Sequence, residues 1–208
     1  MKKLITLLVI IFLIITFAIS CKEPFEYVNI SSAIYGDYTY SVKESKACIT
    51  EYRGDETVLE IPSKLGDFEV TEIGDKAFRY NENLESISFP SSLKSIGKKA
   101  FYGCTAISNL VIPDSVNTIG NMAFKNCQDL SSVIIGDSVE SIGEMAFDCC
   151  SNLNFMTIET VNPPVFGSNV FSNTLPLDFK IYVPSDSVET YKDADGWKDY
   201  KDNIFAIE

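Results

Sequence analysis

Six cysteines and 29 aspartates and glutamates are the side chains best suited to chemistry in this 208-residue chain, because it contains no histidine. That absence removes the Ser-His-Asp triad, the Cys-His dyad and the HExxH zinc site together. Thiolate and carboxylate chemistry remain. Cys104, Cys127 and Cys150 recur every 23 residues, so in a regularly coiled chain they would stack about one strand spacing, ~4.8 Å, apart. Three thiols in a dry column, with no imidazole to help, make a poor zinc site and good small hydrophobes. Cys48 and Cys149 are the thiols expected nearer solvent. The acids are scattered: Asp114 and Asp137 share a turn position that favours aspartate, while Asp193, Asp195 and Asp199 read as a solvated face. No loop has the spacing of an EF-hand, and a regular repeat surface implies no cleft for a carboxylate-pair hydrolase. We expect no enzyme, no catalytic residue, no metal and no cofactor. The formal charge of −12 also argues against nucleic acid as a partner, since phosphates demand a basic face.

The cysteines are one column of a larger pattern. Ile73-Gly74-Asp75-Lys76-Ala77-Phe78 returns as Ile96-Gly97-Lys98-Lys99-Ala100-Phe101, Ile119-Gly120-Asn121-Met122-Ala123-Phe124 and Ile142-Gly143-Glu144-Met145-Ala146-Phe147. The register continues through Asn81, Cys104, Cys127 and Cys150, then Leu84, Ile107, Leu130 and Leu153. It runs on through Ile87, Leu110, Val133 and Met156, then Phe89, Ile112, Ile135 and Ile158. A degenerate copy follows at Phe166-Gly167-Ser168-Asn169-Val170-Phe171, and a partial one precedes at Leu59-Glu60-Ile61-Pro62. A period of this length belongs to a solenoid, in which no turn buries its apolar columns alone and stacked turns share one core. The Leu-x-x-Ile-x-Ile segment supplies a short strand. Phe78, Phe101, Phe124 and Phe147, with the three stacked cysteines, are the expected core ladder, each phenylalanine contributing about 1.5–3 kcal/mol on burial. The glycine of each Ile-Gly pair is expected to adopt a turn conformation barred to larger residues.

The pattern Ile-Gly-x-x-Ala-Phe-x-x-Cys-x-x-Leu-x-x-(Ile/Val)-x-Ile-Pro-x-Ser-Val resembles the BspA-type leucine-rich repeat of bacterial surface proteins, from about Leu59 to Pro184. Asn81 departs from its cysteine column and Glu159 from its proline column. The resemblance implies a mainly β, right-handed leucine-rich-repeat solenoid of about six short coils, with terminal caps and a short C-terminal helix. It implies binding rather than catalysis.

The amino terminus reads as an address. Lys2 and Lys3 precede an apolar run from Leu4 to Ile19, shorter than the ~20 residues of a comfortable membrane span. Ala18-Ile19-Ser20-Cys21 then resembles a bacterial lipobox, with Ala18 where leucine is usual, which implies lipidation of Cys21. An ordinary signal cleaved beside a cysteine and an uncleaved anchor are the alternatives. Two or three acyl chains hold a protein firmly to a bilayer, and so acidic a chain would touch the membrane through lipid alone.

The expected organisation is therefore a signal over residues 1–20, a tether over 21–34, an N-terminal cap hairpin over 35–58, the solenoid over 59–184 and a C-terminal cap over 185–208. In the last segment Ser185 and Asp186 open a short helix, and Trp197 packs back on the final coil. The place to look for function is the outward face of the strands. Most outward positions are small or polar, but Val111, Ile134, Phe155 and Tyr182 are apolar in successive coils, and a contiguous exposed apolar patch marks a partner site. These four are the candidate ligand-binding residues. The expected protein is an exported, membrane-anchored lipoprotein of the outer membrane or cell surface. It would act as an adhesin-like binder of a protein or glycan, or alternatively as an envelope assembly component without a soluble ligand.

Overall fold

A computed structural model describes residues 27–171 and 175–208; the signal, Cys21 and residues 22–26 of the expected tether lie outside the described residues, while the tether's last residues, from Ile30, belong to the first strand. The first strands, β1 (Ile30–Tyr35), β2 (Tyr38–Lys43) and β3 (Lys46–Tyr52), form an antiparallel meander. Tyr38, Tyr40 and Val42 alternate with polar residues and turn their side chains into the core, as a strand with one buried face requires.

From there the chain coils. One face is a parallel ladder of short strands: β4 (Val58–Glu60) and β7 (Ser86–Ser88), then β9 (Asn109–Ile112), β11 (Ser132–Ile135), β13 (Phe155–Ile158), β15 (Lys180–Val183) and β16 (Ile204–Ala206). The second face continues the meander: β3 pairs with β6 (Phe68–Ile73), followed in parallel by β8 (Ser95–Ile96), β10 (Thr118–Ile119), β12 (Ser141–Ile142) and β14 (Val165–Phe166). The two-residue β5 (Lys64–Leu65) pairs with β6. Pairs such as Val133↔Met156 and Ile119↔Ile142 keep the sequence period as the structural register. The first face carries seven strands because the C-terminal segment adds β16 beyond the six expected coils.

The third face is built from turns, yet it too is a ladder. Phe78 N donates to Ala100 O at 2.8 Å, Phe101 N to Ala123 O at 2.8 Å and Phe124 N to Ala146 O at 2.9 Å. The chain sustains this by entering the left-handed region twice per coil, at Lys76, Lys99, Met122 and Met145, and again at Tyr80, Gly103, Asn126 and Cys149. Backbone donors on all three faces thus pair with the adjacent coil, which is how a coil with so little regular strand avoids orphaned polar groups.

One expectation is corrected here. Gly74, Gly97, Gly120 and Gly143 are not in the left-handed region. Their role is close approach: a Cβ at Gly97 would lie 2.8 Å from the Gly74 carbonyl carbon and Asp75 N, and one at Gly120 would lie 2.7 Å from the Gly97 carbonyl carbon and Lys98 N. Stacked coils meet backbone to backbone at this corner.

Inside, the phenylalanines form one stack. Ring centroids are 4.9 Å apart for Phe78–Phe101, 5.2 Å for Phe101–Phe124 and 5.4 Å for Phe124–Phe147, with planes within 15° of parallel. Tyr52 extends the stack at one end and Phe171 at the other. The C-terminal cap comprises a 3-10 turn (Ser185–Ser187), α1 (Val188–Asp193) and a second 3-10 segment (Lys198–Asn203). Trp197 is fully buried 4.0 Å from the Phe166 ring, its Nε1 donating to Pro164 O at 2.8 Å, and the Tyr191 hydroxyl donates to Thr160 O at 2.8 Å. Aromatic rings whose polar tips find carbonyls close the open end of the array.

Candidate functional site

The outward side chains of the seven-strand face stand in rows, because each strand alternates inward and outward residues and the strands are in register. Across β9, β11, β13, β15 and β16 one row runs Val111, Ile134, Thr157, Tyr182 and Phe205. The adjacent row runs Asn109, Ser132, Phe155 and Lys180. Val111 is 56% exposed and Phe155 43%, while Ile134 and Tyr182 are half-buried. The structure therefore brings Val111, Ile134 and Tyr182 into a single row, with Thr157 between the last two, and sets Phe155 beside it.

Phe205 was missed by the sequence reading. It is 42% exposed, its ring centroid lies 6.3 Å from that of Tyr182, and Lys180 Nζ sits 5.6 Å over its face. The signal was present: Ile204 and Phe205 fall 23 residues after Ile181 and Tyr182, one period on. The helical cap between them hides that spacing, since the rest of the repeat is absent.

At its β9–β11 end the strip is flanked by neutral polar side chains. Asn109 Oδ1 accepts from Ser132 Oγ at 2.5 Å and from Ser131 Oγ at 3.4 Å, so hydroxyls and amides are pre-ordered beside the apolar row. Such a surface offers apolar contact, ring faces and hydrogen bonds.

The cysteine column has a structural task. Cys104, Cys127 and Cys150 are buried, and each Sγ donates to the preceding coil's phenylalanine carbonyl: Cys104 to Phe78 O at 3.1 Å, Cys127 to Phe101 O at 3.4 Å and Cys150 to Phe124 O at 3.2 Å. Those carbonyls already accept from the backbone of Asn81, Cys104 and Cys127, so the thiol uses a second lone pair. Burial pushes the Cys104 thiol up to about 12 and raises Cys127 well above its ordinary value. Thiols kept protonated are neither nucleophiles nor metal ligands at neutral pH. Cys48, half-buried, is likewise pushed up to about 12 by burial and by Glu72. Among the described residues no group of three or more cysteines and acids could hold a metal ion, and no helix is long and apolar enough to cross a membrane.

A solenoid of 23-residue coils with a strand, a glycine corner and a stacked Ala-Phe turn defines the leucine-rich-repeat class. The BspA-type leucine-rich repeat region matches residues 71–194 in six copies, and the chain belongs to that family. No curated protein matches it. Among solved structures it is similar to a leucine-rich cell surface protein of Faecalibacterium prausnitzii A2-165, at 26% identity and TM-score 0.56, over 79% of this chain and 46% of that one. It also shares its fold with the pneumococcal vaccine antigen PcpA, at 20% identity and TM-score 0.56, over 77% of this chain and 52% of that one. The chain thus spans about half the length of these two solved chains.

Proposed function

We propose that this protein is an exported, lipid-anchored binding module that engages a protein or glycan through the row Val111, Ile134, Tyr182 and Phe205, with Phe155 beside it. The observation that carries the reading is the run of apolar side chains over five parallel strands, interrupted in the row only at Thr157, where Phe155 stands beside it, since solvated sheet faces are ordinarily polar and contiguous apolar patches mark partner sites. The apolar and hydrogen-bonding character of the strip favours binding over catalysis. The surface assignment draws on the Faecalibacterium cell surface protein to which the chain is similar, and the anchor on the Lys2-to-Cys21 segment.

Two measurements test it. Intact mass of the native protein should give an acylated chain beginning at Cys21, and protease applied to living cells should remove it. Purified protein applied to arrayed proteins and glycans should give a ligand whose binding Phe155→Ala with Ile134→Ser weakens at least about tenfold while the unfolding midpoint barely moves. An acylated chain that resists shaving would point instead to an inward-facing assembly role. A ligand bound equally by the double variant would put the site elsewhere.

A further inference from the structure

The turn face carries a second surface, cationic where the strand face is mainly apolar. Within residues 74–80 and 97–103, four cations, Lys76, Arg79, Lys98 and Lys99, accompany a single carboxylate, Asp75, in a chain whose net charge is −12. Asp75 Oδ1 accepts the backbone N–H of Lys98 at 2.8 Å. None of the four cations is in an ion pair among the described residues. The next lysine along this face, Lys125, is by contrast held 2.5 Å from the buried Asp148, a contact that raises its pKa.

Two tyrosines organise the cations. Tyr80 is 53% exposed and meets Tyr102 edge to face, centroids 5.4 Å apart. The Arg79 guanidinium lies 4.4 Å over the Tyr80 ring and 5.3 Å from the Tyr102 ring, with one N–H donating to the Tyr80 hydroxyl at 3.0 Å. Lys99 Nζ is 5.9 Å from Tyr102, whose hydroxyl is held by Asn126 Nδ2 at 3.1 Å. The place of Tyr80 depends on Gly103 in the next coil: a Cβ there would lie 2.6 Å from Tyr80 Cδ1. Among the described residues four of the five guanidinium donors have no hydrogen-bond partner, on an arginine already aligned by its ring.

We infer that the turn face of these two coils is a binding site for an acidic glycan, the sugar faces packing on Tyr80 and Tyr102 and its carboxylate or sulfate groups meeting Arg79 and the three lysines. Ring faces beside cations match a ligand that alternates C–H surfaces with anions. The cations span only two coils, roughly 5–10 Å along the array, whereas a nucleic-acid duplex needs a longer basic stripe and would meet strong repulsion from the remaining surface. The inference is independent of the strand-face reading.

The test uses the whole chain, purified in mild detergent, and a heparin-derived oligosaccharide in low-salt buffer, with dextran as the neutral control and inorganic polyphosphate as the control for charge alone. The oligosaccharide should bind saturably and more weakly as salt rises, and dextran should not bind. Arg79→Glu with Lys99→Glu should weaken binding at least about tenfold, and Tyr80→Ser by about the same factor. Phe155→Ala should leave it unchanged, which separates this face from the strand face. All three sets of substitutions are at solvent-accessible positions, and circular dichroism with a urea midpoint confirms that each variant is folded. Absence of saturable binding overturns the inference. So does polyphosphate binding as tightly as the oligosaccharide with Tyr80→Ser without effect, since that describes a patch of charge and not a glycan site.

Discussion

Gly120→Ala separates two accounts of the Ile-Gly corner that differ in the sign of the effect. Gly120 is not in the left-handed region, so backbone freedom alone predicts that alanine would stabilise the protein by about 0.4–1 kcal/mol through the unfolded chain. The packing predicts the reverse. The new Cβ would lie 2.7 Å from the Gly97 carbonyl carbon and Lys98 N, and 3.0 Å from Gly97 O. These are backbone atoms of the adjacent coil and cannot swing aside. Overpacking of this kind costs about 1–3 kcal/mol. The hydrogen bonds nearest the clash, Gly120 N to Ile96 O and Gly143 N to Ile119 O, both 2.8 Å, would lengthen, adding about 0.5–1.5 kcal/mol. Net of the unfolded-chain gain, the expected loss is about 0.5–4 kcal/mol. Urea unfolding followed by far-UV circular dichroism should show it as a midpoint lower by about 0.2–2 M, for an m-value of about 2–3 kcal/mol/M. Gly36→Ala is the control: at φ +57° with nothing within 4 Å of the new Cβ, it should cost only the backbone strain, about 1–2 kcal/mol. A Gly120→Ala protein as stable as the parent would refute the close-approach account.

Phe124→Ala should cost about 3–5 kcal/mol, the loss typical of a fully buried aromatic, whereas Phe124→Leu should cost about 1–3 kcal/mol because it mainly forfeits the stacks on Phe101 and Phe147; a Phe124→Leu protein as stable as the parent in the same urea assay would mean the stacking adds nothing. Stability should fall as pH rises from 9 towards about 12, because the unfolded Cys104 thiol ionises at its ordinary 9.0 while the folded one keeps its proton up to about 12, a slope of about 1.4 kcal/mol per pH unit for each such thiol. Cys104→Ala should flatten the pH dependence between pH 10 and 11 by roughly that amount in reducing buffer, and an unchanged slope would show that the thiol is not shielded.

The 23-residue period was legible because the core demanded it: Phe101, Phe124 and Phe147 can stack only if every coil delivers its ring at the same point. The outward rows followed from the same register, which is why Val111, Ile134 and Tyr182 could be placed together from sequence. The glycine corner was legible as glycine but not as to cause, since a left-handed turn and a close backbone contact both require a missing Cβ. Of the two left-handed positions in each coil, one uses Lys76, Lys99, Met122 and Met145, residue types that carry no turn signature, and in the other only Gly103 and Asn126 carry one. Tyr52 extends the phenylalanine stack, but it precedes Phe78 by 26 residues, so the period concealed it.

The same regularity explains why function has to be sought in the unpatterned positions. Ile-Gly, Ala-Phe, the cysteine and the strand apolar residues are committed to contacts with the coil above and below, leaving each coil a few outward positions to vary. On the strand face those positions drift from Ser86 and Ser88 in β7 to Phe155 and Phe205 near the C-terminal cap. On the turn face they drift the other way, from the cations and rings around Tyr80 and Tyr102 to Glu144 and Asp148 two coils later. From β7 onward the apolar surface therefore grows towards the C-terminal end of the array, while the cationic one lies nearer the N-terminal end. A single elongated partner cannot satisfy both through one mode of contact. Two ligands of different chemistry can, because substitutions on either surface alter solvent-facing side chains and leave the stacked core that positions them untouched.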